Sequence, residues 1–130
     1  MSQKWSYNGQ ELEVDLQDAD FAERYETAFN RMGEDEKKVP KDGTNSELIR
    51  AYCALFYHLF DDIYGEGTSE RLFNGKKNAG MCDEAYAAFI KAAQQCNAEA
   101  LQRRNAFYSK YAPNREQRRY HNRNNNRRGE

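Results

Sequence analysis

Apolar residues along this chain recur at two different periods. Near the N-terminus, Trp5-Ser6-Tyr7 and Leu12-Glu13-Val14-Asp15-Leu16 alternate apolar with polar, and Asn8-Gly9 stands between them. Alternation marks half-buried strands, and Asn-Gly suits a type I′ turn because both central residues take positive φ. The pattern predicts a two-stranded hairpin with Trp5, Tyr7, Leu12, Val14 and Leu16 facing inward. A lone hairpin is marginal in water, so this one must lean on helices.

From there the period lengthens. Phe21, Tyr25, Phe29 and Met32 step by four, four and three behind a cap at Asp18 or Asp20, which predicts an amphipathic helix that Gly33 ends or weakens. Glu34–Asn45, with Pro40 and Gly43, reads as a linker. Asn45 or Ser46 opens the strongest helix, in which Leu48, Ile49, Tyr52, Leu55, Phe56, Leu59, Phe60 and Ile63 share one broad face. Gly65 and Gly67 stop it. Thr68-Ser69-Glu70 then caps a short turn carrying Leu72 and Phe73, and a basic loop with Lys76 and Lys77 lies between Asn74-Gly75 and Gly80. A last long helix is expected from about Met81 or Asp83. In it Tyr86, Phe89, Ala93, Cys96 and Ala100 step three, four, three and four, with Leu101, Phe107 and Tyr111 continuing the series. The fold expected is mainly α, three to four helices with an N-terminal β-hairpin over residues 1–112, followed by a disordered basic tail over 113–130.

Composition changes the picture only at the end. Residues 113–130 hold six arginines and five asparagines in eighteen positions, with Tyr120 the lone large aromatic. Such a segment cannot bury enough apolar surface to offset its ordering entropy. Net charge is -1, but residues 1–75 carry sixteen acids and eight bases (net -8), and residues 76–130 carry five acids and twelve bases (net +7). A split of this kind marks a chain that binds partners.

Candidate chemistry is sparse. Cys53, Cys82 and Cys96 form no C-x-x-C pair and sit in apolar patterns, as buried thiols of a reducing cytosol do. His58, Asp61 and Asp62 could share a helix face, yet the other histidine, His121, is in the tail, so no metal is implied. Gly65-Glu66-Gly67-Thr68-Ser69 lacks the lysine of a P-loop and follows a helix instead of a strand. No Ser-His-Asp set is available. These readings point to a non-enzymatic protein with no cofactor. No run reaches the roughly 20 apolar residues of a membrane span, and no signal peptide is evident, so the cytoplasm is the expected location.

The order of these pieces resembles a known family: small tail-assembly-chaperone-like proteins from the tail gene cluster of long-tailed bacteriophages and prophages of Gram-positive hosts. The resemblance is carried by Tyr7-Asn8-Gly9-Gln10-Glu11-Leu12, by Phe60-Asp61-Asp62-Ile63-Tyr64-Gly65-Glu66-Gly67-Thr68-Ser69-Glu70 with Leu72-Phe73-Asn74-Gly75-Lys76, and by the ending Tyr111-Ala112-Pro113-Asn114-Arg115-Glu116-Gln117-Arg118-Arg119. Residues Tyr120–Glu130 extend beyond the pattern. The resemblance implies a chaperone in the cytoplasm of the bacterial host that holds the tape-measure protein, the tail-tube protein or both during virion assembly. The candidate partner-binding residues are Tyr86, Phe89, Phe107, Tyr108 and Tyr111 on the last helix and Arg115, Arg118 and Arg119 in the tail, while the aromatic residues could equally belong to the core. A second copy of the chain is a further candidate partner.

Two readings from other classes stand beside it, a nucleic-acid-binding protein acting through Arg115–Arg128 and an adaptor or inhibitor of a host protein. The first is checked by mobility shift. If it holds, RNA or DNA binding weakens steeply with salt and disappears on deleting the tail; no shift even at low salt removes it.

Overall fold

The computed structural model describes residues 2–111. Its elements in chain order are β1 (Gln3–Tyr7), β2 (Gln10–Val14), α1 (Ala19–Lys37), α2 (Asn45–Tyr64), α3 (Thr68–Phe73) and α4 (Ala79–Tyr111). The chain is mainly helical with an N-terminal hairpin, as its periodicities require. Its described residues divide into two units, residues 2–97 and residues 98–111, with the boundary inside α4. The basic tail from Pro113, including Arg115, Arg118 and Arg119, lies outside the described residues, and so does the disorder expected of it.

The hairpin is antiparallel, with Trp5 opposite Leu12 and Tyr7 opposite Gln10. Asn8 (φ 53°) and Gly9 (φ 80°) both take the left-handed conformation that a two-residue I′ turn needs. Trp5 and Val14 are buried, and Tyr7, Leu12 and Leu16 pack against the core from partly buried positions. Hydrogen bonds pin the hairpin and the residues that follow it to the helices. Trp5 Nε1 donates to Tyr64 Oη at 3.0 Å, Asn8 Nδ2 donates to the Leu72 carbonyl at 3.2 Å, and the Leu16 amide donates to Cys96 Sγ at 3.3 Å.

Helix boundaries follow local chemistry. Asp18 caps α1 by accepting from the Phe21 amide at 2.9 Å, and Thr44 caps α2 by accepting from the Glu47 amide at 3.3 Å. Gly65, at φ 110°, ends α2 where a β-carbon would be strained. Two boundaries differ from expectation. Helix α1 runs on to Lys37, into the segment expected as linker from Glu34, and Gly33 weakens it without ending it, because Gly33 sits on an open surface and costs only about 1 kcal/mol against alanine. Helix α4 starts at Ala79, ahead of the expected Met81, because Asn78 Oδ1 accepts from the Met81 amide at 3.0 Å.

The core of the first unit is aromatic. Phe89 of α4 is fully buried, and its ring centroid lies 5.6 Å from Trp5, 5.9 Å from Tyr25, 6.3 Å from Phe29 and 5.6 Å from Phe60. One side chain therefore joins the hairpin, α1 and α2 to α4. Buried polar groups are satisfied: Ser69 Oγ donates to the Tyr57 carbonyl at 2.8 Å and its amide donates to Asp61 Oδ1 at 2.9 Å. Among the described residues no buried side-chain nitrogen or oxygen lacks a partner.

Eighteen residues after Phe89, about five turns along the same helix face, Phe107 is 57% exposed. Phe89→Ala should therefore lower unfolding free energy by roughly 3–5 kcal/mol through lost burial and a residual cavity. Phe107→Ala should stay within about 0.5 kcal/mol. Urea titration followed by Trp5 fluorescence measures both.

Candidate functional site

The sequence singled out Tyr86, Phe89, Phe107, Tyr108 and Tyr111 as one partner-binding set, and the structure divides it. Phe89 is interior and Tyr86 is half-buried against Phe56 (5.3 Å) and Phe29 (6.4 Å). Phe89 is thus a core residue, the alternative the sequence left open for these aromatic groups, while Tyr86 keeps part of its surface open. Phe107 and Tyr108 are exposed, with their rings edge to face at 5.9 Å, and Leu101 beside them is 56% exposed. Tyr111 closes α4.

Why α4 reaches this far is readable from its residues. Ala98, Ala100, Leu101, Arg103, Arg104 and Ala106 are good helix formers, and no glycine or proline interrupts them before Pro113. Every side chain from Leu101 to Lys110 is exposed. Three large apolar groups lie on this stretch, with Arg103, Arg104 and Lys110 against the single acid Glu99.

A second feature was missed by sequence reading. Asp20, Glu23, Arg24, Thr27 and Arg31 of α1 line an open groove of 540 Å³ with Asp62 of α2. An adjoining groove of 420 Å³ is lined by Glu13, Phe21, Arg24, Asp62, Ile63, Tyr64 and Gly65. Arg31 pairs with Asp62 at 2.7 Å, and Arg24 Nε donates to the Ile63 carbonyl at 3.1 Å, so both cations help lock α1 to α2. The signal was available. Positions 20, 24, 27 and 31 step four, three and four, an all-polar stripe that is the counterpart of the apolar one.

The His58, Asp61 and Asp62 constellation disperses into structural roles. His58 Nδ1 meets Asp35 Oδ2 at 3.1 Å, Asp61 accepts from the Ser69 amide, and Asp62 holds Arg31. Among the described residues no group of three or more His, Cys, Asp or Glu is placed to hold a metal ion. The glycine-bracketed stretch at Gly65 serves as a helix stop followed by the start of α3. All three cysteines are buried. Burial, and then a hydrogen bond with Cys53, pushes the Cys82 thiol up to about 12, which removes the thiolate a nucleophile needs. No helix among the described residues is long and apolar enough to cross a membrane.

Fold and surface together define a small helical protein whose aromatic core is closed by a hairpin and whose last helix carries exposed aromatic and cationic side chains. The chain belongs to a family of unknown function, DUF6673, which matches residues 8–122. No curated protein matches it. No solved structure matches it either.

The start of α4 is held by phenols. Tyr7 Oη donates to Glu84 Oε2 at 2.7 Å and Tyr52 Oη donates to Asp83 Oδ1. These carboxylates, with burial second, raise both phenols to about 12, and burial first raises Tyr57 to about 12. A folded-state value above the unfolded 10 means that the stabilisation is complete below pH 10 and is lost as pH climbs through 12. Denaturation midpoints should accordingly hold steady below pH 10 and fall between 10 and 12. Tyr7→Phe and Tyr52→Phe combined should flatten that fall.

Proposed function

We propose that this protein is a tail-assembly chaperone of a long-tailed bacteriophage, acting in the cytoplasm of the bacterial host. It binds the tape-measure protein, the tail-tube protein or both, and it carries out no covalent chemistry of its own. The observation that carries the reading is the end of α4, where Leu101, Phe107 and Tyr108 are exposed beside Arg103, Arg104 and Lys110. The order of sequence blocks from the Asn8-Gly9 turn through Gly65–Lys76 to the Asn114-Arg115-Glu116-Gln117-Arg118-Arg119 ending supports the same assignment.

The physics of the task agrees with that surface. A tape measure is a long helical chain with apolar stripes, and it aggregates unless those stripes are covered before the tube polymerises around it. An amphipathic helix covers such a stripe by laying its own apolar residues along it. Exposed aromatic groups supply most of the contact energy in interfaces of this kind, and arginines around them add specificity. Arg115, Arg118 and Arg119 follow the described helix in sequence and extend its positive charge. Phe89 and Tyr86 contribute indirectly, by fixing the helix from which the exposed residues project.

Co-expression tests this. Tape-measure protein expressed with the full chain should move from the insoluble to the soluble fraction and copurify with it. Phe107→Ala with Tyr108→Ala should cut the soluble yield several-fold while leaving thermal stability of the chaperone unchanged. No gain in tape-measure or tail-tube solubility with the intact chain contradicts the assignment.

A further inference from the structure

We propose that Asn8 is a site of self-modification, at which the backbone nitrogen of Gly9 displaces the side-chain amide, while the chain's other Asn-Gly pair, Asn74-Gly75, is held inert by the end of α3. The inference needs no partner and is independent of the function proposed above.

The sequence contains two Asn-Gly pairs. Asparagine before glycine is the pairing most open to this reaction, because glycine has no side chain to shield its nitrogen. Conformation does not separate the two sites: Asn8 and Asn74 both take φ 53°, and their glycines take 80° and 68°. All four residues are exposed. Hydrogen bonding does separate them. The Gly75 amide donates to the Glu70 carbonyl at 3.0 Å, and the Asn74 amide donates to the same carbonyl at the end of α3. The Lys76 amide then closes on the Phe73 carbonyl at 3.0 Å, and Phe73 is fully buried. The Gly75 nitrogen can therefore attack only after this helix end opens. The Gly9 amide carries no backbone bond among the described residues, and a β-carbon at Gly9 would meet nothing within 4 Å. What restrains Asn8 is a single bond from its Nδ2 to the Leu72 carbonyl at 3.2 Å. An exposed turn tip with so few contacts opens more often than a helix end anchored in the core.

Water is the only co-reactant. The Gly9 nitrogen gives up its proton to solvent and attacks Asn8 Cγ; the N–Cγ bond forms, the Cγ–Nδ2 bond breaks, and Nδ2 takes a proton from water and leaves as ammonia. Water then opens the cyclic imide at one carbonyl to give aspartate, or at the other to give isoaspartate. Aspartate has no donor for the Leu72 carbonyl and sets a carboxylate against it. Isoaspartate also lengthens the backbone by one carbon, which a two-residue turn cannot take up in register. Either product frees the hairpin tip from α3. Tyr7, the neighbouring residue, meets the Phe73 ring at 6.3 Å, and Trp5 lies in the core, so a loosened tip weakens the contacts that dock the hairpin.

The test is peptide mapping of the full chain after ageing in mildly alkaline buffer, native and in concentrated guanidinium chloride. Cleavage after lysine and arginine places Asn8 in peptide 5–24 and Asn74 in peptide 72–76, each with one asparagine, so the mass gain of amide loss is assigned without ambiguity. In the native chain Asn74 should convert roughly tenfold or more slowly than Asn8, the ratio set by an opening costlier by about 1.4 kcal/mol. In denaturant the two rates should converge. Native rates that are equal, or faster at Asn74, overturn the proposal, as does a difference that persists in denaturant, since it would then owe nothing to the fold. Aged wild-type chain should also unfold at lower urea than fresh chain by Trp5 fluorescence, whereas aged and fresh Asn8→Gly should coincide. Converted wild-type chain with an unchanged midpoint contradicts the release of the hairpin.

Discussion

Phe89 is the contact on which the fold of residues 1–97 depends. Its ring meets Trp5 from the hairpin, Tyr25 and Phe29 from α1, and Phe60 and Tyr64 from α2. A small domain has few ways to make a core, and interlocked aromatic rings bury the most area per residue ordered. Trp5 contributes a polar handle as well, because its indole N–H donates to Tyr64 Oη. The hairpin, too short to persist alone, is stable because its inward face is part of this cluster.

That constraint explains how one helix does two things. The stripe of α4 that supplies Phe89, Ala93 and Cys96 to the interior continues to Phe107 at the same helical phase, where the side chain is exposed. No break in the helix separates the two stretches, since no glycine or proline lies between them. What changes is the neighbourhood: α1 and α2 cover Phe89, and the residues from Leu101 to Lys110 are open to solvent. The exposure of Leu101, Phe107 and Tyr108 is what supports the proposed chaperone role.

Much of this was legible in the residues. Asn8-Gly9 specified the turn and the alternating positions around it specified the inward face, because a two-residue turn leaves no freedom of register. The face of α2 from Leu48 to Ile63 was equally plain, since eight apolar residues at helical spacing have no other use. Gly33 left the end of α1 open, because a lone glycine weakens a helix without ending it when Arg31–Asp35 and Glu34–Lys37 pairs flank it. Asn78 was passed over because Gly80 behind it looked like a loop residue. The separation of Phe89 from Phe107 could not be read at all: periodicity assigns a phase, and burial depends on which other elements reach that phase. The polar groove along α1 was hidden for the opposite reason, as polar stripes were treated as solvated and left unmapped.

The central claim is that this protein grips a polypeptide through the end of α4 while its aromatic core stays unchanged. Hydrogen–deuterium exchange on the full chain, alone and in complex with the tape-measure protein, tests it most directly. The account requires new protection over residues 98–111 on binding, with amides around Phe60 and Phe89 equally slow in both states. Protection appearing elsewhere with none at 98–111, or a core that loosens when the partner binds, contradicts it.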